Sequence, residues 1–388
     1  MNRYVLWLTS WYPSRVQPSN GDFVERHARA IAPYIPIIIL LVEKDESLKY
    51  EESIVEKKEE GGLIVFKAYY GRSSRFGLLE KILSFNKYRQ FQKKVFLTIV
   101  QEYGEPRLVH VHVAMKAGLL AWRLFKKNKI PYLLSEHWTG YYKTSTPNYY
   151  TSGLLMKHWI KEIINNASLL VTVSDQLGRI IQQNIAPVKY EVIPNAVDIA
   201  HFNYNAFSSP VFRFLHPSYL NYQKNPEGMI EAAALLSGKG YVFELHLLGN
   251  QDEKLEALAK SRGILNKTVF IEPAVSYAEV AIEMKQSSAL LMFSRFENLP
   301  CVILEALCCG LPVISSRVGG IAEVIKEENG LLVENENVRE LAAAMIKMMD
   351  TYSNYNRETI SAEAVKKYNY QEIGNQYFSW YKNITPGI

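Results

Sequence analysis

The chain has 388 residues, 48% apolar and 21% charged, with three cysteines; this excludes a disordered chain, a collagen-like repeat and a disulfide-stapled scaffold, and suggests two domains. The longest strongly apolar run, Ile35 to Val42, contains Pro36 and falls far short of the roughly 20 residues of a bilayer span; Val5 to Leu8 is too short for a signal-peptide core, so a cytoplasmic location is expected. The net charge of +5 hides an asymmetry: residues 1–190 hold 27 basic and 16 acidic side chains, residues 191–388 hold 17 and 23, and 70–130 alone holds 13 against 3.

Short β-branched runs alternate with longer helical patterns along the whole chain. In the first half they are Tyr4–Leu8, Ile37–Val42, Leu63–Lys67, Leu108–Val113, Tyr132–Ser135, Leu169–Val173 and Glu191–Ile193. Val211–His216, Phe243–Leu248, Thr268–Ile271, Ala289–Phe293, Pro312–Ser315 and Leu331–Val333 follow. Strands alternating with helices predict right-handed βαβ units and parallel sheets, and so many strands fit two doubly wound domains better than one. Turn formers and the change in charge sign put the break near Pro194–Asp198, giving domains 1–195 and 196–365. The charged stretch Glu51–Glu60 is expected to be an exposed turn. The terminal segment 366–388 carries Ile373, Tyr377, Trp380 and Tyr381 on one helical face, which is expected to pack back on the first domain.

Several sites are absent. There is no G-x-G-x-x-G, no P-loop, no H-E-x-x-H and no G-x-S-x-G, and none of the six aspartates lies two residues from another. Cys301, Cys308 and Cys309 form no C-x-x-C pair and are expected to be reduced, mostly buried thiols. His110 and His112 share one strand; they are expected to face opposite sides and hold no metal together.

The most informative stretch is Phe293-Ser294-Arg295-Phe296-Glu297-Asn298-Leu299-Pro300-Cys301-Val302-Ile303-Leu304-Glu305. A strand ends at Phe293, a polar loop follows, and Pro300 suits the first position of a helix. The amides around Leu299–Val302 then face a helix N-terminus, an anion site. Glu297 precedes it, and Glu305 leans back toward it because Cβ vectors tilt toward the helix start. Carboxylates there suit a ribose diol or a hexose edge; two solvated glutamates on an ordinary strand–loop–helix fit the pattern too.

With Gly310-Leu311-Pro312 and Gly319-Gly320-Ile321 downstream, this stretch resembles the paired-glutamate signature of the family 4 retaining glycosyltransferases. Asn20-Gly21-Asp22-Phe23-Val24 resembles the family's N-terminal glycine loop, Val192–Asp198 its interdomain segment, and Tyr219-Leu220-Asn221-Tyr222-Gln223-Lys224 its donor-phosphate segment. The resemblance implies a GT-B fold of two Rossmann-like domains around a cleft, and metal-independent, retaining transfer of a sugar from a nucleotide-sugar. It implies that Glu297 holds hexose hydroxyls, Glu305 the ribose diol, and Asn298, Leu299 and Pro300 backbone contacts at the phosphates and sugar. Lys224 would neutralise the leaving diphosphate, Gly21 and its neighbour Asp22 would approach the donor, and His137, in Ser135-Glu136-His137-Trp138 after a buried-type strand, would contact the transferred sugar. The base is expected near Glu272 and Pro273. One departure is Tyr219, where the family usually has Arg; Arg295, Arg317 or an arginine of the first domain is the expected substitute.

On the acceptor side, Glu136 is expected to orient the imidazole or act as base, and Tyr141 and Tyr142 of a tyrosine-rich loop to stack on a sugar. The glycan or lipid-linked acceptor fits cell-surface polysaccharide synthesis. Within Gly71–Lys129, apolar Leu78, Leu79, Ile82, Leu83, Phe91, Val95 and Phe96 interleave with Lys81, Lys87, Arg89, Lys93 and Lys94, which suits peripheral contact with an anionic membrane. No nucleic-acid motif accompanies the charge. The alternatives are a non-catalytic sugar-binding protein of the same fold and a sugar-nucleotide epimerase.

Overall fold

A computed structural model describes residues 4–50, 52–72, 77–206 and 210–388, without the side chains of 77–79 and 81. The expected basic-helix side chains Leu78, Leu79 and Lys81, and residues 207–209 of the expected linker region, therefore lie outside the described residues. The chain divides into two compact units, one of Met1–Ala196 with Tyr370–Ile388, the other of Val197–Asn369.

In the first unit the described strands are β1 (Val5–Thr9), β2 (Ile37–Lys44), β3 (Ser53–Glu60), β4 (Leu63–Tyr70), β5 (Leu108–His112), β6 (Tyr132–Glu136), β7 (Leu169–Thr172) and β8 (Tyr190–Val192). They form one sheet in the order β3-β4-β2-β1-β5-β6-β7-β8, parallel except for β3. Helices α1 (Asp22–Ile31), α2 (Gly77–Tyr103), α3 (Gly118–Asn128), α4 (Leu154–Asn165) and α5 (Asp175–Asn184) connect them. The central strands are mostly apolar because both faces are covered; every residue of β1 and β5 is buried, the polar Thr9, His110 and His112 included.

The exposed turn expected at Glu51–Glu60 is instead β3, an antiparallel edge strand joined to β4 through Gly61 and Gly62, both at positive φ. Paired glycines of this kind make the tight turn that matches strand twist. The strand was hidden because its outward face has no apolar alternation, and charges on an edge discourage pairing with another chain.

The second unit has β9 (Arg213–Pro217), β10 (Glu244–Gly249), β11 (Val269–Pro273), β12 (Ala289–Met292), β13 (Val313–Ser316) and β14 (Gly330–Val333) in the all-parallel order β11-β10-β9-β12-β13-β14. Helices α6 (Pro226–Ser237), α7 (Glu253–Ser261), α8 (Tyr277–Lys285), α9 (Cys301–Cys308), α10 (Ile321–Val324), α11 (Val338–Asp350) and α12 (Arg357–Tyr368) accompany it. Phe214, Leu245, Leu247, Leu291 and Phe293 sit at the centre of its core. The three thiols are free, Cys308 and Cys309 buried.

Helix α13 (Tyr370–Ile384) returns to the first unit, where Ile373, Tyr377 and Tyr381 enter the core beside Val5, Trp7 and Val24. Gly374 is required at this crossing, since a methyl group there would fall 2.1 Å from the Ala30 carbonyl oxygen.

Candidate active site

In each sheet the strand order reverses once, between β1 and β5 in the first unit and between β9 and β12 in the second. Open α/β sheets bind ligands outside the carboxyl ends of the strands at such a reversal. In the second unit the loops leaving β9 and β12 are 218–225 and 293–300, and they are tied together. Arg295 N donates to Gln223 O (2.7 Å), Gln223 Nε2 to Phe296 O (3.0 Å), and Lys224 Nζ to Glu297 Oε1 (2.5 Å). Glu297, Asn298, Leu299 and Glu305 are all buried. Asn225, in the left-handed region at φ 53°, caps α6 and brings Lys224 inward; Pro226 opens the helix.

Helix α9 starts at Cys301, with Pro300 as its N-cap and not its first residue. The positive end of the helix dipole therefore faces the loop that carries Glu297 and Asn298. Behind that loop, Gly320 N donates to Asn298 O (2.7 Å). Gly319 has φ +55°, and a methyl group on it would fall 2.0 Å from the Glu297 carbonyl oxygen. The glycine pair is thus what lets the next loop lie against the back of the Glu297–Asn298 peptide.

Tyr219 is 63% exposed. Arg295 and Arg317, the two second-unit arginines expected as the substitute cation, each have a carboxylate neighbour here. Arg295 Nε bonds Glu336 (2.8 Å) and its guanidinium lies 4.2 Å over the Tyr222 ring. Arg317 is half-exposed, 3.7 Å from Glu334. Glu272 and Pro273 end β11, two strands away from the reversal. The Glu272 carboxylate meets His246 Nδ1 at 2.8 Å, while His246 Nε2 meets Glu244 at 3.0 Å.

In the first unit Gly21 takes φ 76° as the N-cap of α1, and a methyl group there would fall 2.4 Å from the Trp11 carbonyl carbon. The glycine is demanded by the crossing of its own chain, before any ligand is considered. Asp22 is half-exposed and pairs with Arg26 (2.9 Å).

His137 follows β6 and is buried. His110 and His112 do not face opposite sides of their strand: residues two apart share a face, and both rings lie against Trp7, with centroids at 4.7 and 4.2 Å. His112 also lies 5.7 Å from His137 and 6.3 Å from His27, ring to ring. One ring nitrogen from each of His27, His112 and His137 lies within 4.8 Å of the others, making this trio a group that could hold a metal ion. Burial lowers the pKa of all three, His27 to about 3, so the imidazoles are neutral. Sequence reasoning missed the trio because His27 arrives from α1, and the only local signal, the two-residue spacing of His110 and His112, was given the wrong parity.

Glu136 Oε1 accepts from Ala114 N and from the Tyr141 hydroxyl, each at 2.8 Å. Burial raises its pKa to about 7 against these donors. Tyr141 is not a stacking surface on a lid: it is 1% exposed, edge-on to Trp138, in a 3₁₀ turn Thr139–Tyr141. Tyr142 is half-buried, its amide bonded to Thr139 O (2.9 Å).

Two α/β units, the second with a polar loop cluster at the reversal of its sheet, agree with the comparisons to known proteins. Residues 55–201 match Glycosyltransferase Family 4 and residues 201–370 match Glycosyl transferases group 1. The chain belongs to the family 4 glycosyltransferases. TuaC of Bacillus subtilis (strain 168), a glycosyltransferase named for teichuronic acid biosynthesis, is 22% identical over 361 residues, 88% of each chain. The sucrose-phosphate synthase of Thermosynechococcus elongatus superposes with TM-score 0.77 at 18% identity over 99% of both chains. Anabaena HepE, solved with UDP-glucose, gives 0.69 at 16% identity, covering 99% of this chain and all of the other. This family 4 enzyme is therefore a GT-B glycosyltransferase. Among its described residues no helix is long and apolar enough to cross a membrane.

Proposed function

We propose that this enzyme is a retaining, metal-independent glycosyltransferase that moves a sugar from a nucleotide-sugar to a glycan or lipid-linked acceptor in cell-surface polysaccharide synthesis. The observation that carries the reading is the Lys224–Glu297 pair, 2.5 Å apart on the two loops of the second sheet's reversal, beside the N-terminus of α9. A diphosphate needs a cation and helix amides, and a hexose needs a buried acceptor of hydroxyl protons; these lie side by side. In this reading Lys224 leaves Glu297 for the diphosphate, and Glu297 is released to hold the sugar. Glu305 binds the ribose diol, and Asn298, Leu299 and Pro300 line the phosphates and sugar. Gly21, Asp22, Tyr219, Glu272 and Pro273 complete the donor contacts, and His137 meets the transferred sugar.

Transfer then rests on stabilising the leaving diphosphate and aligning the acceptor hydroxyl on the donor's own face. The UDP-glucose complex of HepE and the name of TuaC support the donor class and the polysaccharide setting. The excess of basic over acidic residues in 70–130 supports work at an anionic membrane surface, on its cytoplasmic side.

A panel of UDP-, GDP- and ADP-sugars tests the reading. Slow hydrolysis of one donor, with retention in the product, is expected. Isomerisation of the sugar instead would make the protein an epimerase, and binding without either reaction would make it a non-catalytic member of the fold.

A further inference from the structure

His110 and His112 share β5, and both side chains are fully buried, yet the protein around them treats them differently. His110 has a partner at each ring nitrogen, the Tyr381 hydroxyl at Nδ1 (2.5 Å) and the Ser135 hydroxyl at Nε2 (2.8 Å). Among the described residues His112 has none at either nitrogen, although the Trp7 ring lies 4.2 Å away. A buried polar group left unpaired is costly, and a whole imidazole without a hydrogen bond calls for a reason.

The reason lies in its neighbours. One ring nitrogen from each of His27, His112 and His137 lies within 4.8 Å of the others. The three arrive from α1, from β5 and from the residue after β6, so the fold and not a local motif brings them together. His27 Nδ1 has no partner, while its ring is hydrogen-bonded to the backbone of Pro194. Proline has no N–H, so the Pro194 carbonyl must accept a proton from Nε2, which the Ala196 amide also approaches at 3.3 Å. Nδ1 is then the nitrogen with the lone pair. Fixing a ligand imidazole through a carbonyl on its other nitrogen is the usual support of a metal site.

We propose that His27, His112 and His137 form a zinc site in the core of the first unit, with the fourth position taken by water. Neutral imidazoles without a carboxylate suit zinc and its transition-metal neighbours, not magnesium or calcium. Tetrahedral zinc with bonds of about 2.1 Å holds its ligand nitrogens about 3.4 Å apart, so the rings close by at most about 1.4 Å. The ion ties α1, β5 and the end of β6 together, and His137 keeps its second nitrogen for the sugar. It is a pin and not the cation of the diphosphate, which is Lys224 in the proposed reaction, and an ion buried this deeply is not expected to pass to a chelator during an assay. The inference goes beyond the transferase reading and does not depend on it.

Metal analysis of the untagged full chain, expressed with zinc in the medium, is expected to find about one zinc per chain. Cobalt(II) in its place is expected to give the strong visible absorption of a four-coordinate site, displaced by equimolar zinc. His112→Gln and His27→Gln are each expected to lose that absorption and weaken zinc at least about 100-fold. His246→Gln, which removes the second-unit imidazole between Glu244 and Glu272, is expected to leave both unchanged. X-ray absorption on the unaltered zinc protein needs no variant to fold, and is expected to count three imidazole nitrogens at about 2.0–2.1 Å. A chain that takes up neither metal, a cobalt spectrum that survives both substitutions in the trio, or fewer than three imidazoles on the zinc overturns the site and leaves His112 to a buried water.

Discussion

Lys224 Nζ and Glu297 Oε1 lie 2.5 Å apart, an ion pair between the loops that leave the neighbouring strands β9 and β12. The Glu297 side chain is only 6% exposed and that of Lys224 17%, so each charge depends on the other. Removing one partner of a buried pair costs more than removing both. Lys224→Met is expected to destabilise the protein by about 2–3 kcal/mol, and Glu297→Gln in the same chain to recover most of that without restoring transfer. Denaturant midpoints for the four proteins of the cycle check it; additive effects would mean the pair is not coupled.

Glu305→Gln keeps the size of a buried side chain and removes one carboxylate oxygen from the proposed ribose contact. Activity is expected to fall roughly 30- to 1,000-fold, corresponding to about 2–4 kcal/mol of transition-state stabilisation, with the folded state intact by circular dichroism. Near-native turnover would remove Glu305 from the donor site.

Chelation is expected to leave transfer unchanged, because a lysine and a helix N-terminus already supply the positive field at the diphosphate. Activity assayed in EDTA, with and without added magnesium, manganese or zinc, measures this. Loss restored by zinc alone would direct attention to His27, His112 and His137, whose nitrogens suit that ion.

Acid is expected to unfold the first unit. His27, His110, His112 and His137 are buried neutral, with pKa values lowered by burial, His27 to about 3, against about 6.5 in the unfolded chain. Below pH 6.5 the unfolded state gains protons the folded state does not, so their contribution is complete above about pH 6.5 and is lost as pH falls. Glu136 works in the opposite direction: its folded pKa, raised by burial to about 7, makes stability decline as pH rises from the ordinary carboxylate range through 7. Each group changes stability by at most about 1.4 kcal/mol per pH unit, and four outweigh one. Denaturant midpoints should rise from pH 5 to 6.5 and then fall slightly, by about 1 kcal/mol or less, with Glu136→Gln abolishing the fall. A midpoint that rose in acid would contradict the burial of these imidazoles as neutral groups.

Liposomes test the proposed membrane contact. Sedimentation with anionic but not neutral vesicles is expected, weakened by salt and by exchanging Lys87, Arg89, Lys93 and Lys94 for glutamate. Lys93 and Lys94 are exposed, whereas Lys87 donates to Gly71 O (3.3 Å) and the Arg89 guanidinium lies 5.7 Å from the Phe85 ring centroid. The last two should therefore contribute less. Equal recovery with both vesicle types would return this face to ordinary solvated surface.

The strands of both sheets were legible because parallel strands buried on two faces are continuous apolar runs, and Ile37-Ile38-Ile39-Leu40-Leu41 cannot be placed elsewhere. What the sequence concealed had no apolar signal, as in β3, or depended on residues far apart. The Phe85–Trp159 stack joins positions 74 residues apart. Tyr141 shows another limit: in the sequence it is one of four similar tyrosines, and only the fold turns its hydroxyl inward to Glu136. Motif spacing located Glu297 and Lys224 but carried no sign that they are partners.

Helix α13 has a consequence for the order of events on the ribosome. Tyr381 meets His110 Nδ1 at 2.5 Å and Tyr377 meets the Ser135 hydroxyl at 3.1 Å, so the core of the first unit lacks two of its large buried side chains until residues beyond Asn369 have been made. The second unit is continuous in sequence, Val197–Asn369, and every strand of its sheet is available by Val333. The half synthesised first is therefore the half completed last. While translation continues through the second unit, the groove meant for α13 exposes apolar surface, and a nascent chain stalled or cleaved there would present it to chaperones.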